Sequence, residues 1–230
     1  MDFYLVTDSR LSRRGVLSDV ERALEAGCTV IQYREKEKCI RDMVAEAARI
    51  RELCRGQALF LVNDRIDVAL ATDADGVHIG QDDMPFESAR RILGPERIIG
   101  LTVHDEREAE EAARLGADYV GLSPIFPTGT KADAGRACGV GMITRVRVAS
   151  PSIKIVVIGG ITKENVAGTI LAGADAAVAI SAVVGAEDMA REVREFCEII
   201  RRAKEERGSC MRMRSIHFFG SYTIFPFLSM

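Results

Sequence analysis

The sequence predicts a compact, single-domain (β/α)8 barrel of the α/β class, and three observations carry that prediction. Short β-branched or aromatic runs alternate with longer stretches of helical spacing from the first residues to about residue 205, the pattern of a parallel sheet with crossover helices. One punctuation mark, a helix end followed by Gly-Ala-Asp or a looser variant, recurs at Ala26-Gly27-Cys28, Asp73-Ala74-Asp75-Gly76, Gly116-Ala117-Asp118 and Gly173-Ala174-Asp175. Glycine there suits a helix C-cap, so the repeat marks an αβ turn used again and again. Polar residues collect just after the strands, where a closed barrel gathers them at one mouth. An open doubly wound sheet, the alternative, would string them along a line.

In chain order, the first strand is expected over Phe3 to Thr7 and the first helix over Val16 to Ala26. The second strand, Cys28 to Tyr33, brings Gln32, Arg34 and Lys36 to its end, and a helix follows over Ile40 to Cys54. The third, Ala58 to Val62, leads into Asn63, Asp64 and a short helix over Ile66 to Ala71; the fourth, Gly76 to Ile79, leads into Gln81, Asp82, Asp83 and a helix near Pro85. The fifth, Arg97 to Leu101, precedes Thr102, His104 and a helix over Arg107 to Leu115. After the sixth, Tyr119 to Leu122, the stretch from Ser123 to Cys138 carries Thr128, Thr130 and Lys131 and is too long and polar for a minimal connection, as binding loops are. The seventh, Lys154 to Ile158, ends on Gly159-Gly160 ahead of a helix over Lys163 to Leu171; the eighth, Ala176 to Ile180, ends on Ser181. In the last helix, Glu187 to Lys204, Met189, Val193, Phe196, Ile199 and Ile200 recur at helical spacing. The barrel is thus expected over 1–207, with an apolar, aromatic tail of unassigned role over 208–230.

With 31 Lys+Arg against 34 Asp+Glu, the net charge of −3 gives no footprint for nucleic acid. No apolar run approaches a membrane span, since even 169–184 is broken by Gly173, Asp175 and Ser181. Six cysteines form no C-x-x-C pair and no cluster with histidine at metal-ligand spacing, so free thiols in a reducing compartment are expected. The opening residues lack a basic, apolar leader, and a cytoplasmic location is the expectation.

Asp64 and Asp83 follow consecutive strands, so a barrel can bring their carboxylates together across one inter-strand gap. Two hard oxygen donors beside a phosphate suit Mg²⁺. The competing reading makes each an N-cap, of helices starting at Arg65 and near Pro85; Asp82 competes with Asp83 for the ligand role. Arg34 and Lys36, alternating with Glu35, place two cations on one side of an extended chain, as a polyphosphate clamp would, or form part of a solvated charge run. Gly159-Gly160 and the Ile180-Ser181 pair occupy the loops that hold phosphate in this fold. His78 lies within strand four and reads as a layer residue; His104 stands past strand five, in reach of a ligand. No Ser-His-Asp order, thiol paired with histidine or H-E-x-x-H is visible, which leaves nucleophilic and zinc hydrolysis without support.

Together, Tyr4-Leu5-Val6-Thr7-Asp8, Gln32-Tyr33-Arg34-Glu35-Lys36, Val62-Asn63-Asp64-Arg65, Gly76-Val77-His78-Ile79-Gly80-Gln81-Asp82-Asp83, Asp118-Tyr119-Val120-Gly121, the run Pro124 to Lys131 and Ile158-Gly159-Gly160-Ile161 resemble thiamine-phosphate synthase over about residues 3 to 200. The resemblance implies a (β/α)8 transferase that joins 4-amino-5-hydroxymethyl-2-methylpyrimidine diphosphate to hydroxyethylthiazole phosphate, giving thiamine phosphate and pyrophosphate by a dissociative, Mg²⁺-assisted substitution. It implies that Gln32, Arg34, Lys36, Asn63 and Lys131 hold the pyrimidine diphosphate and that Asp64 and Asp83 bind the metal. Thr102 stands where the family has a serine near the pyrimidine and pyrophosphate, and keeps the hydroxyl. Thr128 and Thr130 would contact the thiazole phosphate, with backbone donors from Gly160, Ile180 and Ser181; Arg34, Lys36, Thr102 and Lys131 stand at the reacting centre.

Two alternatives belong to the same superfamily. A thiazole tautomerase would use the histidine corresponding to His104, but it has no pyrophosphate for Asp64 and Asp83 to serve. A non-catalytic barrel would bind thiazole phosphate without turnover. Departures from the family are Tyr33, where leucine is usual and which suits either core or rim, and the tail from Gly208, with Phe218, Phe219, Phe225 and Phe227 in its last thirteen residues. Packing on the barrel, a homo-oligomer interface and disorder are all open to such a tail, and exposed it would promote association.

Overall fold

The structure, a computed structural model, describes residues 2–129 and 135–219, with side chains through Ser209. Eight parallel strands alternate with helices: β1 (Leu5–Val6), α1 (Val16–Glu25), β2 (Val30–Tyr33), α2 (Ile40–Cys54), β3 (Leu59–Asn63), α3 (Ile66–Ala71), β4 (Gly76–Ile79), α4 (Phe86–Leu93), β5 (Ile98–Val103), α5 (Glu106–Leu115), β6 (Tyr119–Leu122), α6 (Val140–Ala149), β7 (Lys154–Val157), α7 (Lys163–Leu171), β8 (Ala176–Ala177), α8 (Ser181–Val184) and α9 (Met189–Phe219). The strands pair in sequence order from β1 to β8. A parallel bridge from Phe3 to Ala177, with Tyr4 N–H donating to the Ala177 carbonyl at 3.0 Å, closes the ring. Sequential order and closure define a barrel and exclude the doubly wound sheet, whose strand order reverses at its centre.

Strand alternation splits the apolar residues into two cores. Tyr4, Val6, Val30, Leu61, Tyr119, Val156, Ala176 and Val178 fill the barrel interior. Their neighbours one position along, such as Leu5, Ile31, Phe60, Val62, Val77 and Val120, face the helices. Tyr33 belongs to the outer core, where its hydroxyl donates to Glu46 of α2 at 2.8 Å. Helix α9 covers the closing seam: Val193, Phe196, Ile200 and Ala203 are buried, Phe196 meets Phe3 with ring centroids 5.3 Å apart, and Lys204 pairs with Asp2 at 2.7 Å.

The Gly-Ala-Asp turns do more than cap helices. Asp75, Asp118 and Asp175, just ahead of β4, β6 and β8, each accept a backbone N–H from the preceding strand: Phe60 at 2.7 Å, Ile99 at 2.8 Å and Ile155 at 2.9 Å. Each also takes an arginine from the preceding even-numbered helix, Arg51 at 3.0 Å, Arg90 at 2.9 Å and Arg147 at 2.5 Å. The carboxylate locks strand register at the bottom of the barrel while the guanidinium ties in the helix layer.

Several elements differ from the sequence expectation. Strands β1 and β8 shorten to two residues each, so Val178 to Ile180 lie past the strand, and a short helix, α8, starts at Ser181. Strand β5 runs on to Val103, so Thr102 lies inside the strand, opposite Gly121, and not after it. Helix α6 was not expected; its β-branched run Val140, Ile143, Thr144, Val146 and Val148 has weak helix propensity, and burial of Met142, Ile143 and Val146 overrides it. Helix α9 continues through the 207–208 boundary to Phe219, while residues 220–230 of the tail lie outside the described residues.

Candidate active site

The C-terminal ends of the strands open into one cavity of about 320 Å³. From β2 to β5 its wall carries Gln32, Arg34, Lys36, Asn63, Asp64, Asp83 and Thr102; from β6 to β8 it carries Thr128, Gly160, Ile180 and Ser181. All the described candidate residues therefore share one site, and His104 stands on its rim. Thr130 and Lys131 lie outside the described residues.

The cationic side is built on the β1–β2 seam. The Arg34 N–H donates to Thr7 Oγ1 at 2.9 Å and the Thr7 hydroxyl donates back to the Arg34 carbonyl at 3.1 Å, pinning the two strand ends together. Asp8, only 3% exposed, accepts from Arg34 Nη1 at 3.2 Å and from the Arg10 and Leu11 N–H groups, so the guanidinium is aimed from behind. Glu35 turns inward: its Oε1 accepts the N–H groups of Lys36 and Glu37, both at 2.8 Å, which directs the Lys36 side chain to the cavity. Burial pushes the Glu35 carboxyl up, but these N–H groups, the Ser9 hydroxyl and Lys38 outweigh it and hold the group below its ordinary range.

Opposite stand the two aspartates. Neither is a helix cap: the N-cap positions of α3 and α4 are Arg65 and Pro85, and neither helix has a side-chain cap bond. Asp64 instead adopts a left-handed backbone (φ 61°), a conformation that aspartate tolerates better than most residues. Its Oδ2 accepts from Lys36 Nζ at 2.5 Å. Asp83 accepts the Gly80 N–H at 2.7 Å, and it, not Asp82, is drawn against Asp64. Burial first and the neighbouring Asp64 second raise the Asp83 carboxyl above the usual range, with the Gly80 N–H and Lys36 acting in the other direction. Two crowded carboxylates form a donor set that attracts a cation. Among the described residues no group of three or more His, Cys, Asp or Glu could enclose a metal ion. A cation that keeps most of its water and takes substrate oxygens, as Mg²⁺ does, fits two carboxylates; one needing a full protein cage does not.

On the far side, Gly159 and Gly160 have φ of 96° and 63°. A Cβ on Gly159 would fall 2.6 Å from Pro124 Cβ and one on Gly160 2.7 Å from Phe126 Cβ, so both glycines are needed for the loop after β6 to close down on the loop after β7. That seam is held by Ile125 N–H to the Ile158 carbonyl at 2.9 Å and Phe126 N–H to the Gly159 carbonyl at 3.0 Å.

The floor carries residues that the sequence reading did not assign to the site. His78 is buried within β4, as expected of a layer residue, yet it also lines the cavity, and its Nε2 lies 2.9 Å from Thr102 Oγ1. Its Nδ1 is 3.0 Å from the Tyr119 hydroxyl; that hydroxyl is 2.8 Å from Tyr4, which accepts from Gln32 Nε2 at 2.6 Å. The signal for these residues was glycine in strand interiors, which marks close approach: a Cβ on Gly100 would fall 2.0 Å from the Tyr119 ring and one on Gly121 2.8 Å from His78. His104 pairs with Glu108 at 2.9 Å on the exposed start of α5.

The sequence profile described as "Thiamine monophosphate synthase" matches residues 3–183. A thiamine-phosphate synthase of Methanosarcina mazei is 60% identical over 204 residues, covering 89% of this chain and 85% of that one. One from Methanosarcina barkeri is 58% identical over 205 residues, covering 89% and 93%. The solved structure of a thiamine phosphate pyrophosphorylase from Pyrococcus furiosus superposes with a TM-score of 0.81 at 42% identity, covering 88% of this chain and 96% of that one.

Proposed function

The chain belongs to the thiamine monophosphate synthase family and is a transferase, and on that premise we propose that it joins hydroxymethylpyrimidine diphosphate to hydroxyethylthiazole phosphate. The observation that supports this best is the arrangement of Arg34 and Lys36 against the Asp64–Asp83 pair at one end of a cavity whose other end is built by the glycine loop and Ser181. A site with cations and carboxylates together suits a diphosphate, and a second anion site opposite suits a monophosphate partner.

In this reading Asp64 and Asp83 would hold Mg²⁺, which would supply Lewis-acid stabilisation of the departing diphosphate. Arg34, fixed by Asp8, and Lys36, fixed by Glu35, bind the diphosphate and stabilise the negative charge that its oxygens gain as the C–O bond breaks. Lys131 and Asn63 complete that group. Loss of pyrophosphate leaves a benzylic cation on the pyrimidine; the thiazole nitrogen lone pair forms the new C–N bond, so no protein nucleophile or strong base is needed. Thr128, Thr130 and the N–H groups of Gly160, Ile180 and Ser181 hold the thiazole phosphate so that its nitrogen meets the cation before water does. Free thiols on the described cysteines go with a reducing, cytoplasmic setting.

The test is to mix the purified protein with both substrates and Mg²⁺ and measure thiamine phosphate with and without a chelator. Chelator-sensitive product is expected. No product from folded protein supplied with metal sinks this reading.

A further inference from the structure

The buried polar chain under the cavity runs Gln32, Tyr4, Tyr119, His78, Thr102, crossing the barrel from β2 to β5 through contacts of 2.6, 2.8, 3.0 and 2.9 Å. We propose that it is a one-way hydrogen-bond relay that fixes the polarity of the substrate site, presenting the Gln32 carbonyl as an acceptor and the Thr102 hydroxyl proton as a donor, with Tyr4, Tyr119 and His78 as positioning residues. The proposal deepens the functional reading above and rests on it for the identity of the ligand.

The direction follows from counting protons. The Gln32 amide directs its N–H groups at the Tyr4 oxygen and at Tyr119, which leaves its side-chain carbonyl for the cavity; the single Tyr4 proton goes to the Tyr119 oxygen and the single Tyr119 proton to His78 Nδ1. A ring that accepts at Nδ1 carries its proton on Nε2, and that N–H points at Thr102 Oγ1. Thr102 has then received a proton and keeps its own to donate into the cavity it lines. Burial pushes both phenols above their ordinary range, so each remains an O–H with one proton to pass on. A doubly protonated His78 would break the sequence, because Tyr119 would have to turn its proton back on Tyr4, and the Tyr4 proton would then have no acceptor in the chain. The two ends are therefore not independent: an acceptor on the β2 side requires a donor on the β5 side. A ring offering a donor to one side and an acceptor to the other, as an aminopyrimidine does, matches that polarity, and an oxo analogue with the pattern inverted does not.

The relay is read directly by ¹⁵N NMR of the labelled full chain, which has only three histidines to assign. His78 is expected to be neutral, protonated at Nε2 and bare at Nδ1. Tyr119→Phe removes the proton donor to Nδ1, so the tautomer preference is lost while KM for the pyrimidine diphosphate rises about tenfold, the worth of one buried hydrogen bond; KM for the thiazole phosphate does not move. If that variant fails to fold, Tyr4→Phe carries the test: Gln32 loses the shorter of its two phenol partners and the pyrimidine KM rises, but Tyr119 still donates to His78 and the Nε2–H form persists. An Nδ1–H or doubly protonated His78 in the wild type overturns the relay, as does a Tyr119→Phe or Tyr4→Phe protein with unchanged pyrimidine KM. The tautomer measurement needs no turnover, so a wild-type protein inactive on the diphosphate would sink the functional reading while the relay is still judged by His78 alone.

Discussion

The two ends of the barrel treat carboxylates in opposite ways. At the bottom, Asp75, Asp118 and Asp175 each have an arginine and a strand N–H of their own. At the mouth, Asp64 and Asp83 crowd one another around a single lysine, Lys36, which bonds Asp64 at 2.5 Å: Asp64 is held with a positive φ, and Asp83, with the Gly80 N–H as its own partner, has its carboxyl raised by burial and by its neighbour. A chain that matches carboxylates to guanidiniums three times over sets two carboxylates against one lysine at the mouth, and the charge left over is what a bound cation and its diphosphate would satisfy. Self-sufficient ion pairs mark the end that holds the fold; crowded ones mark the end that binds something from outside.

The largest effect expected is at the mouth. Asp64→Asn, which keeps a residue at home in the left-handed region, and Asp83→Asn should each lower Mg²⁺-dependent turnover by about a hundredfold or more, the loss seen when a group aimed at developing charge is removed. Thermal stability should hold or rise in Asp83→Asn, since a like-charge contact is relieved, while Asp64→Asn also gives up the pair with Lys36; a variant that keeps full activity loses its place in the proposed metal site. The bottom should show the reverse. Asp175→Ala frees the Ile155 N–H and Arg147, and with this carboxylate partly open to solvent the expected cost is about 1–2 kcal/mol in urea unfolding, with kcat unchanged. If Asp175→Ala hurt turnover more than folding, the division between the two ends would be wrong.

How much of this the sequence disclosed depends on which interactions are local. Strands four and six, and the helices over Ile40–Cys54, Ile66–Ala71 and Lys163–Leu171, match their periodicity to the residue, because burial of one face is written into spacing. The Gly-Ala-Asp turns were legible as turns, but their arginines come from a helix two dozen or more positions away, and spacing carries no trace of that pairing. In the site, the rim residues were readable because strand ends are readable. The floor was not: Tyr4, His78 and Tyr119 look like ordinary strand residues until closure stacks three strands around Gly100 and Gly121.

A smaller effect tests the exception at the mouth, Asp8, which is buried and paired as a bottom carboxylate would be. Its partner Arg34 belongs to the cavity wall, so Asp8→Asn should raise KM for the diphosphate about fivefold, through a guanidinium that is less well held, with little change in kcat. An unchanged KM would mean that the Thr7 bonds to the Arg34 backbone suffice to aim the side chain.

The smallest effect is one of pH and belongs to Glu35. Its carboxyl is held below its ordinary value of 4.5 because, against burial, the N–H groups of Glu37 and Lys36 and the nearby Lys38 favour the charged form. A carboxylate whose folded value is depressed contributes stability that is fully present above its unfolded value and is lost as pH falls through the folded one. Wild type should therefore exceed Glu35→Gln in urea midpoint at neutral pH, and the gap should narrow at acid pH, as the carboxyl is protonated first in the unfolded state and then in the folded one. A gap of equal size at both pH values would show that the site holds the shape of Glu35 and not its charge, and the turn that aims Lys36 would then belong with the neutral framework of the barrel and not with its electrostatics.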